Sequence, residues 1–375
     1  MSLRRIWAVT LKEIRHIFRD RATLFLVLLT PVALLLMMTY AVTAEIKDVP
    51  LAVLNLDHTP TSRRFIQQVT LGDDLDLVAH VNDFDALEPL LLDGTVHAAI
   101  IIPSGFEQDM LALRGMPIEV IVDGTEPETG GYAVEQIAMR AEGFALALLE
   151  EHFAPDAAAA LNPVQIHVRS WYNPNLKSSV DIIPGLISMV LGVPGMTIAL
   201  TLAREREHGT FEQLLATPIG RAELLLGKMG PYVLTGLLNT ILTSVIAMTW
   251  FHVPFHGNFA LFLGLSAVFF FALLSLGALI GVFLHTQAAA LALSMLAMFF
   301  PGFFLTGVFF PLSSMPSIAR LEALILPGSH YAIITRGVFI TGMGLAALWP
   351  YAAGLFALGC TFTGAAALFF KKKLA

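Results

Sequence analysis

The stretch Arg204–Lys228, "REREHGTFEQLLATPIGRAELLLGK", interrupts a chain that is apolar on both sides of it. It carries four acids, Glu205, Glu207, Glu212 and Glu223, and four bases, Arg204, Arg206, Arg221 and Lys228. What the flanking runs are decides what this segment can do. Of the 375 residues, 56% are hydrophobic and only 14% charged, where a soluble domain carries about 25% charge. Six runs contain no Asp, Glu, Lys or Arg: Ala22–Ala44, Ile182–Ala203, Met229–Phe251, Phe259–Leu284, Ala288–Phe310 and Leu345–Phe370. Each reaches the length of about 20 residues that a bilayer core requires, and a helix satisfies its own backbone in lipid. The expected fold is a polytopic α-helical membrane protein of six transmembrane helices, with an extracytoplasmic α/β domain inserted between helices 1 and 2.

Orientation follows from Lys and Arg near the span ends. Arg4, Arg5, Lys12, Arg15, Arg19 and Arg21 precede the first run. Arg204, Arg206, Arg221 and Lys228 lie between the second and third, and Lys371, Lys372 and Lys373 follow the last. An even number of spans places all three clusters on one face. The chain is therefore expected in the bacterial inner membrane with both termini cytoplasmic. The long segment 45–180 and the segment 311–344 then face outward. "VTA" at Val42–Ala44 resembles a small-residue cleavage site. A preceding segment of 21 residues and an apolar run of 23 favour a retained span over a cleaved signal peptide.

The expected domains are a cytoplasmic amphipathic helix (1–21), transmembrane helix 1 (22–44), a periplasmic α/β domain (45–180), and transmembrane helices 2–6 (181–375). In the first of these, Leu3, Trp7, Leu11, Ile14 and Phe18 recur at three- and four-residue steps, with the bases largely elsewhere. That is the pattern of a helix lying in the membrane interface. Segment 45–180 holds 21 acids and 7 bases. Within it "PLAVLNLD" (Pro50–Asp57), "LDLVAHV" (Leu75–Val81), "VHAAIIIP" (Val96–Pro103), "PIEVIVDG" (Pro117–Gly124) and "VQIHVRSWY" (Val164–Tyr172) read as strands. Helical stretches lie between them, which predicts a mostly parallel sheet. Trp171 and Tyr172 stand where an aromatic belt is expected. Segment 311–344, with Pro311, Pro316 and Pro327, reads as short helices on the outer leaflet, anchored by Arg320, Glu322, His330 and Arg336.

Several chemistries find no match. Gly220–Lys228, "GRAELLLGK", has six residues between its glycines and Met229 after the lysine. A Walker A loop needs four, then Ser or Thr, so no ATPase site is expected. The histidines lack metal-ligand spacing, and the single cysteine, Cys360, excludes an intramolecular disulfide. No cofactor bound by this chain, no catalytic residue, no metal and no nucleic-acid partner is expected. The runs carry no internal charge that would form a proton or ion relay. Asp181, at the edge of the second run, suits a helix N-terminus.

On the cytoplasmic face, the opening stretch reads as a helix, a break, a short helix, a break and a helix. Gly209 permits a change of direction. Thr210 and Gln213 form a capping-box pattern that starts a short helix with Phe211, Leu214 and Leu215 as its apolar residues. Thr217–Pro218 then reads as an N-cap followed by Pro at the first position of a helix that enters the third span from Ile219. The segment 204–228 resembles the cytoplasmic signature of ABC-2 type permeases, the membrane subunits of ABC exporters. The residues that carry the resemblance are Glu205, Arg206, Glu207, Gly209, Thr210, Glu212, Gln213, Leu214, Leu215, Pro218, Gly227 and Lys228. One span, a large outer segment ending "WYNPNL" and five further spans resemble the bacterial subgroup with large periplasmic insertions.

The resemblance implies a permease that moves an apolar or amphipathic substrate, a drug or lipid-like molecule, outward. Its partners would be a separate ABC ATP-binding subunit, which uses the ATP, and a second permease copy or paralogue. A periplasmic membrane-fusion adaptor is a further candidate. It also implies that Glu205, Glu207, Gly209, Thr210, Phe211, Glu212, Gln213, Leu214 and Pro218 couple the permease to that ATPase. The alternative from the residues alone is a non-transport membrane anchor or sensor whose outer domain binds a ligand or partner.

Overall fold

The computed structural model describes residues 2–19, 21–42, 48–112, 114–115, 117–152, 172, 177–209, 219–309 and 312–370. The chain divides into two compact units, one formed by Met1–Thr43 with Arg169–Ala375, the other by Ala44–Val168.

In the helical unit, α1 (Leu3–Arg19) precedes α2 (Arg21–Val42). After the second unit come α7 (Ser178–Val190), α8 (Gly195–Glu207), α9 (Arg221–Thr249) and α10 (Phe259–Phe283). Next are α11 (Gln287–Ser294), a π-helical turn (Met295–Phe299) and α12 (Phe300–Phe304). A 3-10 turn (Leu312–Ser314), α13 (Ser317–Ile325), α14 (Pro327–Phe339) and α15 (Leu345–Phe369) complete it. Among the described residues five helical stretches are long and apolar enough to cross a membrane: Ser179–Glu207, Arg221–Thr249, Phe259–Phe283, Gln287–Phe304 and Leu345–Phe369. Val27–Val42 is apolar but shorter.

Helix α10 is the axis of this unit, packing against α8, α9, α14 and α15. Small residues allow the closest crossing. A Cβ at Gly277 would overlap the Gly195 carbonyl oxygen, and one at Gly281 would lie 2.9 Å from the Ala199 Cα. Without a hydrophobic driving force between spans, such backbone approach is what holds membrane helices together. Tyr331 of α14 stacks on Phe269 of α10 at a ring separation of 3.9 Å, and its hydroxyl lies 2.7 Å from the Ser266 hydroxyl.

Three sequence expectations change here. The second run is not one helix: a turn at Leu191–Pro194 separates α7 from α8. Pro194 has no N–H to continue the ladder, and tight bonds such as Gly195 N–H to Gly192 O, 3.1 Å, replace it. The fifth run does not extend to Phe310 as helix. Phe300 N–H donates to Met295 O rather than to the usual acceptor four residues back, and the helix ends at Phe304 beyond Pro301 and Gly302. Nor do all the helices of 311–344 lie superficially. Most of α14 is buried, including Tyr331, Ile334, Val338 and Phe339, because it presents an apolar surface to α7, α10 and α15.

Helix α1 has a buried face distinct from its exposed apolar stripe. Val9, Thr10 and Glu13 are buried, with Val9 and Thr10 against Gly227 and Gly230 of α9. The stripe read from the sequence is a different one: Leu3 is 83% exposed and Trp7 63%. The side chain of Phe18 lies outside the described residues.

The second unit comprises β1 (Val49–Asn55), α3 (Pro60–Val69), β2 (Leu75–Val81), α4 (Phe84–Leu92), β3 (Ala98–Ile102), α5 (Phe106–Leu111), β4 (Glu119–Val122) and α6 (Pro127–His152). The strand order is β2-β1-β3-β4, with β1 parallel to both neighbours and β4 antiparallel to β3. Strand β3, "AAIII", is buried throughout, as a strand covered on both faces must be. Its alternate side chains enter two cores. Ala98, Ile100 and Ile102 meet Phe65, Phe106 and Phe144 from α3, α5 and α6, whereas Ala99 and Ile101 meet Leu87 from α4. The segment read as a fifth strand, Val164–Tyr172, and the belt residue Trp171 lie outside the described residues apart from Tyr172.

The crossing of α8 and α10 yields a stability prediction. Gly277→Val should lower stability by about 1–3 kcal/mol, the usual cost of overpacking, read as a reduced thermal midpoint of the detergent-purified protein. Gly264→Ala, on the same helix with open space around it, should leave the midpoint unchanged or raised.

Candidate functional site: a braced helix end

The charged stretch begins as the last turn of α8, and three consecutive residues of that turn each take a different partner. Glu205 accepts a hydrogen bond from the Lys228 ammonium of α9 at 2.5 Å. The same ammonium donates to Glu13 of α1 at 3.0 Å. Lys228 has no exposed surface, and Glu13 is nearly as buried. Two carboxylates from two helices thus meet one ammonium from a third. Burying a charge is tolerable only when it is paired and hydrogen-bonded, and the Lys228 side chain is placed by the close approach of α1 to Gly227.

Arg206 turns to the end of α10. Its guanidinium donates to the carbonyls of Gly281, Val282 and Leu284, at 3.3, 2.6 and 3.0 Å. Gly281 O also accepts weakly from Leu284 N–H at 3.4 Å, whereas the later carbonyls are ones that a helix C-terminus leaves without intrahelical donors, and a cation also complements the negative end of the helix dipole. Glu207 does the reverse at the start of α11, accepting from the backbone N–H of Gln287 at 3.1 Å and from its side-chain amide at 3.0 Å. One turn of α8 is therefore tied to α1, α9, α10 and α11.

The chain leaves this turn through Gly209, whose φ of +67° is left-handed, the usual close of a helix. Its N–H bonds to Arg206 O at 3.1 Å. Thr210, Phe211, Glu212, Gln213, Leu214, Leu215 and Pro218 lie outside the described residues. On the far side, helix α9 starts later than its sequence suggests. Ile219 and Gly220 are not helical, and Gly220 is the N-cap residue of a helix that begins at Arg221. The cause is Glu223, whose carboxylate accepts from Gly220 N–H at 2.9 Å and from Ser2 N–H at 2.6 Å, closing the first turn of α9 and fastening α1 to it.

Of the expected site residues, Glu205 and Glu207 are thus engaged inside the chain. Within the chain, the Glu205 carboxylate is turned to the buried Lys228 ammonium. Sequence reasoning missed Glu13, the partner of Lys228, and Gln287. Glu13 was the only acid in a basic N-terminal helix, and an isolated acid facing a lysine at the head of an apolar run was the available signal.

The family profile described as "ABC-2 family transporter protein" matches residues 21–369, nearly the whole chain. The chain belongs to the ABC-2 transporter family. It is similar to the "Probable multidrug ABC transporter permease YbhS" of Escherichia coli, with 28% identity over 345 residues, covering 91% of this chain and 90% of that protein. The E. coli permease YbhR is 24% identical over 371 residues, covering 99% of each chain. The "Inner membrane transport permease YhhJ" of E. coli is 27% identical over 379 residues, covering 99% of this chain and 98% of that protein. The chain is accordingly an ABC-2 type permease, a multi-pass helical membrane protein, and the braced turn lies within the matched residues.

For this ABC-2 permease, Lys228→Met should be severely destabilising, by about 3–5 kcal/mol, because it leaves two buried carboxylates without their cation. Adding Glu13→Gln and Glu205→Gln to it should restore much of the loss. Thermal melts of the single and triple variants in detergent check both statements.

Proposed function

We propose that this permease is the membrane subunit of an ATP-driven exporter. It moves an apolar or amphipathic molecule, drug-like or lipid-like, from the cytoplasm or the inner leaflet outward. The observation that supports the reading is the bracing of the last turn of α8 to four helices. A force applied to the loop after Gly209 is carried by Glu205 into α9 and α1, by Arg206 into α10 and by Glu207 into α11. A loop attached in that way suits a lever better than a solvated connection. Coupling of this kind needs contiguous packed or hydrogen-bonded elements that move as bodies.

A separate ABC ATP-binding subunit supplies the force by gripping the segment around Thr210–Pro218, and it alone binds and hydrolyses ATP. The sequence relatives named as multidrug transporter permeases support the transport class. The basic clusters support an inner-membrane topology with both termini cytoplasmic, six spans with α2 as the first, and the α/β unit outside. The exposed Leu3–Trp7 stripe of α1 then rests in the cytoplasmic membrane interface. Two permease copies, or this chain and a paralogue, enclose the pathway, and the outer α/β unit is where a periplasmic adaptor docks.

Two experiments test this reading. Phe211→Ala or Glu212→Ala should leave the permease inserted and its melt nearly unchanged while reducing ATPase capture and substrate-stimulated ATP hydrolysis several-fold. A few anchors commonly carry an interface, each worth about 2 kcal/mol or more. Unchanged capture with only a lowered melting temperature would assign these residues to local helix stability instead. If a complex reconstituted with its ATPase shows no substrate-stimulated hydrolysis, the membrane anchor or sensor reading gains. For topology, an enzyme reporter active only outside the cytoplasm should work when fused after Asp123 and fail after Lys373.

A further inference from the structure

Two prolines that lie inside helices, Pro31 of α2 and Pro231 of α9, share a feature. Proline has no N–H, so the carbonyl four residues earlier loses its helical donor. For Pro31 that carbonyl is Val27 O, and the side-chain amide of Asn239, on α9, donates to it at 3.2 Å. For Pro231 it is Gly227 O, and the Thr10 hydroxyl, on α1, donates to it at 3.0 Å. Asn239 has no exposed surface, and Thr10 is buried. In an apolar surrounding a freed carbonyl is costly unless a neighbouring helix supplies a donor, and at both breaks one does.

The two clasps join the same three helices. Helix α1 closes the break in α9, and α9 closes the break in α2. Pro231 also divides α9 mechanically. Glu223 and Lys228, which hold Ser2 and Glu13 of α1, lie before it. Asn239 lies after it, as does Trp250, whose indole N–H donates to the Tyr40 hydroxyl of α2 at 2.8 Å. The part of α9 that carries α1 is therefore separated by a proline from the part that carries α2. Helix α1 leads directly into α2, and Pro31 stands at the middle of α2. The Thr10 hydroxyl has a second acceptor, Ile6 O of its own helix, at 3.0 Å. Its hydrogen can serve either carbonyl, so this clasp opens without leaving its donor unpaired.

We propose that Pro31 and Pro231 are the joints at which this permease bends when it changes state, with Asn239 and Thr10 as the clasps that keep each freed carbonyl bonded. A helix bends most readily where its ladder is interrupted, and hinge motion is absorbed by a few such positions. The first turns of α9 tilt together with α1 against the remainder of α9, and α2 gives way at Pro31. The direction of the force rests on the proposed lever at α8, since Glu205 holds Lys228 on the α1 side of the joint. The joints themselves are a property of the permease alone.

Thermal melts of the full-length permease in detergent test the clasps. Asn239→Leu, which takes the donor from Val27 O, should lower the midpoint by several degrees. Pro31→Ala returns an N–H to that carbonyl, so in a Pro31→Ala background the same substitution should lose less than about half as much. Thr10→Val should behave likewise with Pro231→Ala, and neither proline variant should rescue the other clasp. Additive losses in the matched pairs overturn the clasp assignment. Where Asn239→Leu does not fold alone, folding in the Pro31→Ala background is the rescue, and failure in both backgrounds overturns it.

Spin-label distances in a Cys360→Ser protein test the joints. Labels at Phe25→Cys and Met37→Cys flank Pro31, and labels at Trp7→Cys and Leu242→Cys straddle Pro231, all at exposed positions. Each distance distribution should narrow to about half its width when the intervening proline becomes alanine. Unchanged widths overturn the joints. In complex with the ATPase, both proline variants should keep capture and lose several-fold in substrate-stimulated hydrolysis. Full hydrolysis in both overturns their part in transport. Absence of stimulation in the wild type counts instead against the transport reading, and the melts and widths still decide the joints.

Discussion

The buried ammonium of Lys228, held between Glu13 and Glu205, is the constraint around which the charged end of the helical unit is arranged. A charge in that position cannot be left alone. Its desolvation must be offset by partners with good geometry, and those partners sit on two other helices. The requirement fixes the rotation of α1, since Glu13 must face α9, and it fixes the end of α8, since Glu205 must reach inward. The rotation of α1 then leaves Leu3 and Trp7 on a separate exposed stripe. A helix that would otherwise be bound only by a membrane surface becomes part of the protein.

Two arginines solve a related problem, the backbone carbonyls left over where helices stop. Arg206 gathers three carbonyls at the end of α10, and Arg336 gathers two in the segment after α12. In an apolar surrounding an orphan carbonyl is costly, and a guanidinium with five donors is the side chain best suited to several at once. The difference between the two sites is what remains. Arg206 makes all three of these contacts through one Nη at a helix end, whereas Arg336 reaches its two carbonyls through both Nη groups and keeps its buried Nε without a hydrogen-bond partner among the described residues.

Between these ends, α10 carries the load through shape. Gly195, Gly277 and Gly281 let backbone meet backbone, and Tyr331 locks α14 to the same helix by ring stacking and a buried hydroxyl contact. Elements packed so closely move as rigid bodies rather than deform continuously, which is the mechanical property that the proposed lever at α8 requires. The turn at Leu191–Pro194 and the π turn at Met295–Phe299 interrupt the helices on either side of this axis. Such irregular turns within helices recur at functional positions.

The sequence by itself determined the class of protein. Apolar runs without charge are long enough to span a bilayer, and the alternation of strand-like and helical stretches between Val49 and His152 matched β1–β4 and α3–α6 in place and kind. It also pointed to the charged turn at Arg204–Glu207, because charge is conspicuous in an apolar chain. Composition and period are local properties, so they are readable along the chain. What only the tertiary structure decided was the partner of each charge. Glu13 and Lys228 are separated by more than half of the sequence, and no local rule pairs them. Hydropathy likewise could not tell that α14 would be buried, that α12 would end at Phe304, or that Glu223 would move the start of α9 past Ile219. Those outcomes depend on which surfaces and donors the folded chain brings within a few ångströms, and a one-dimensional pattern does not contain that distance.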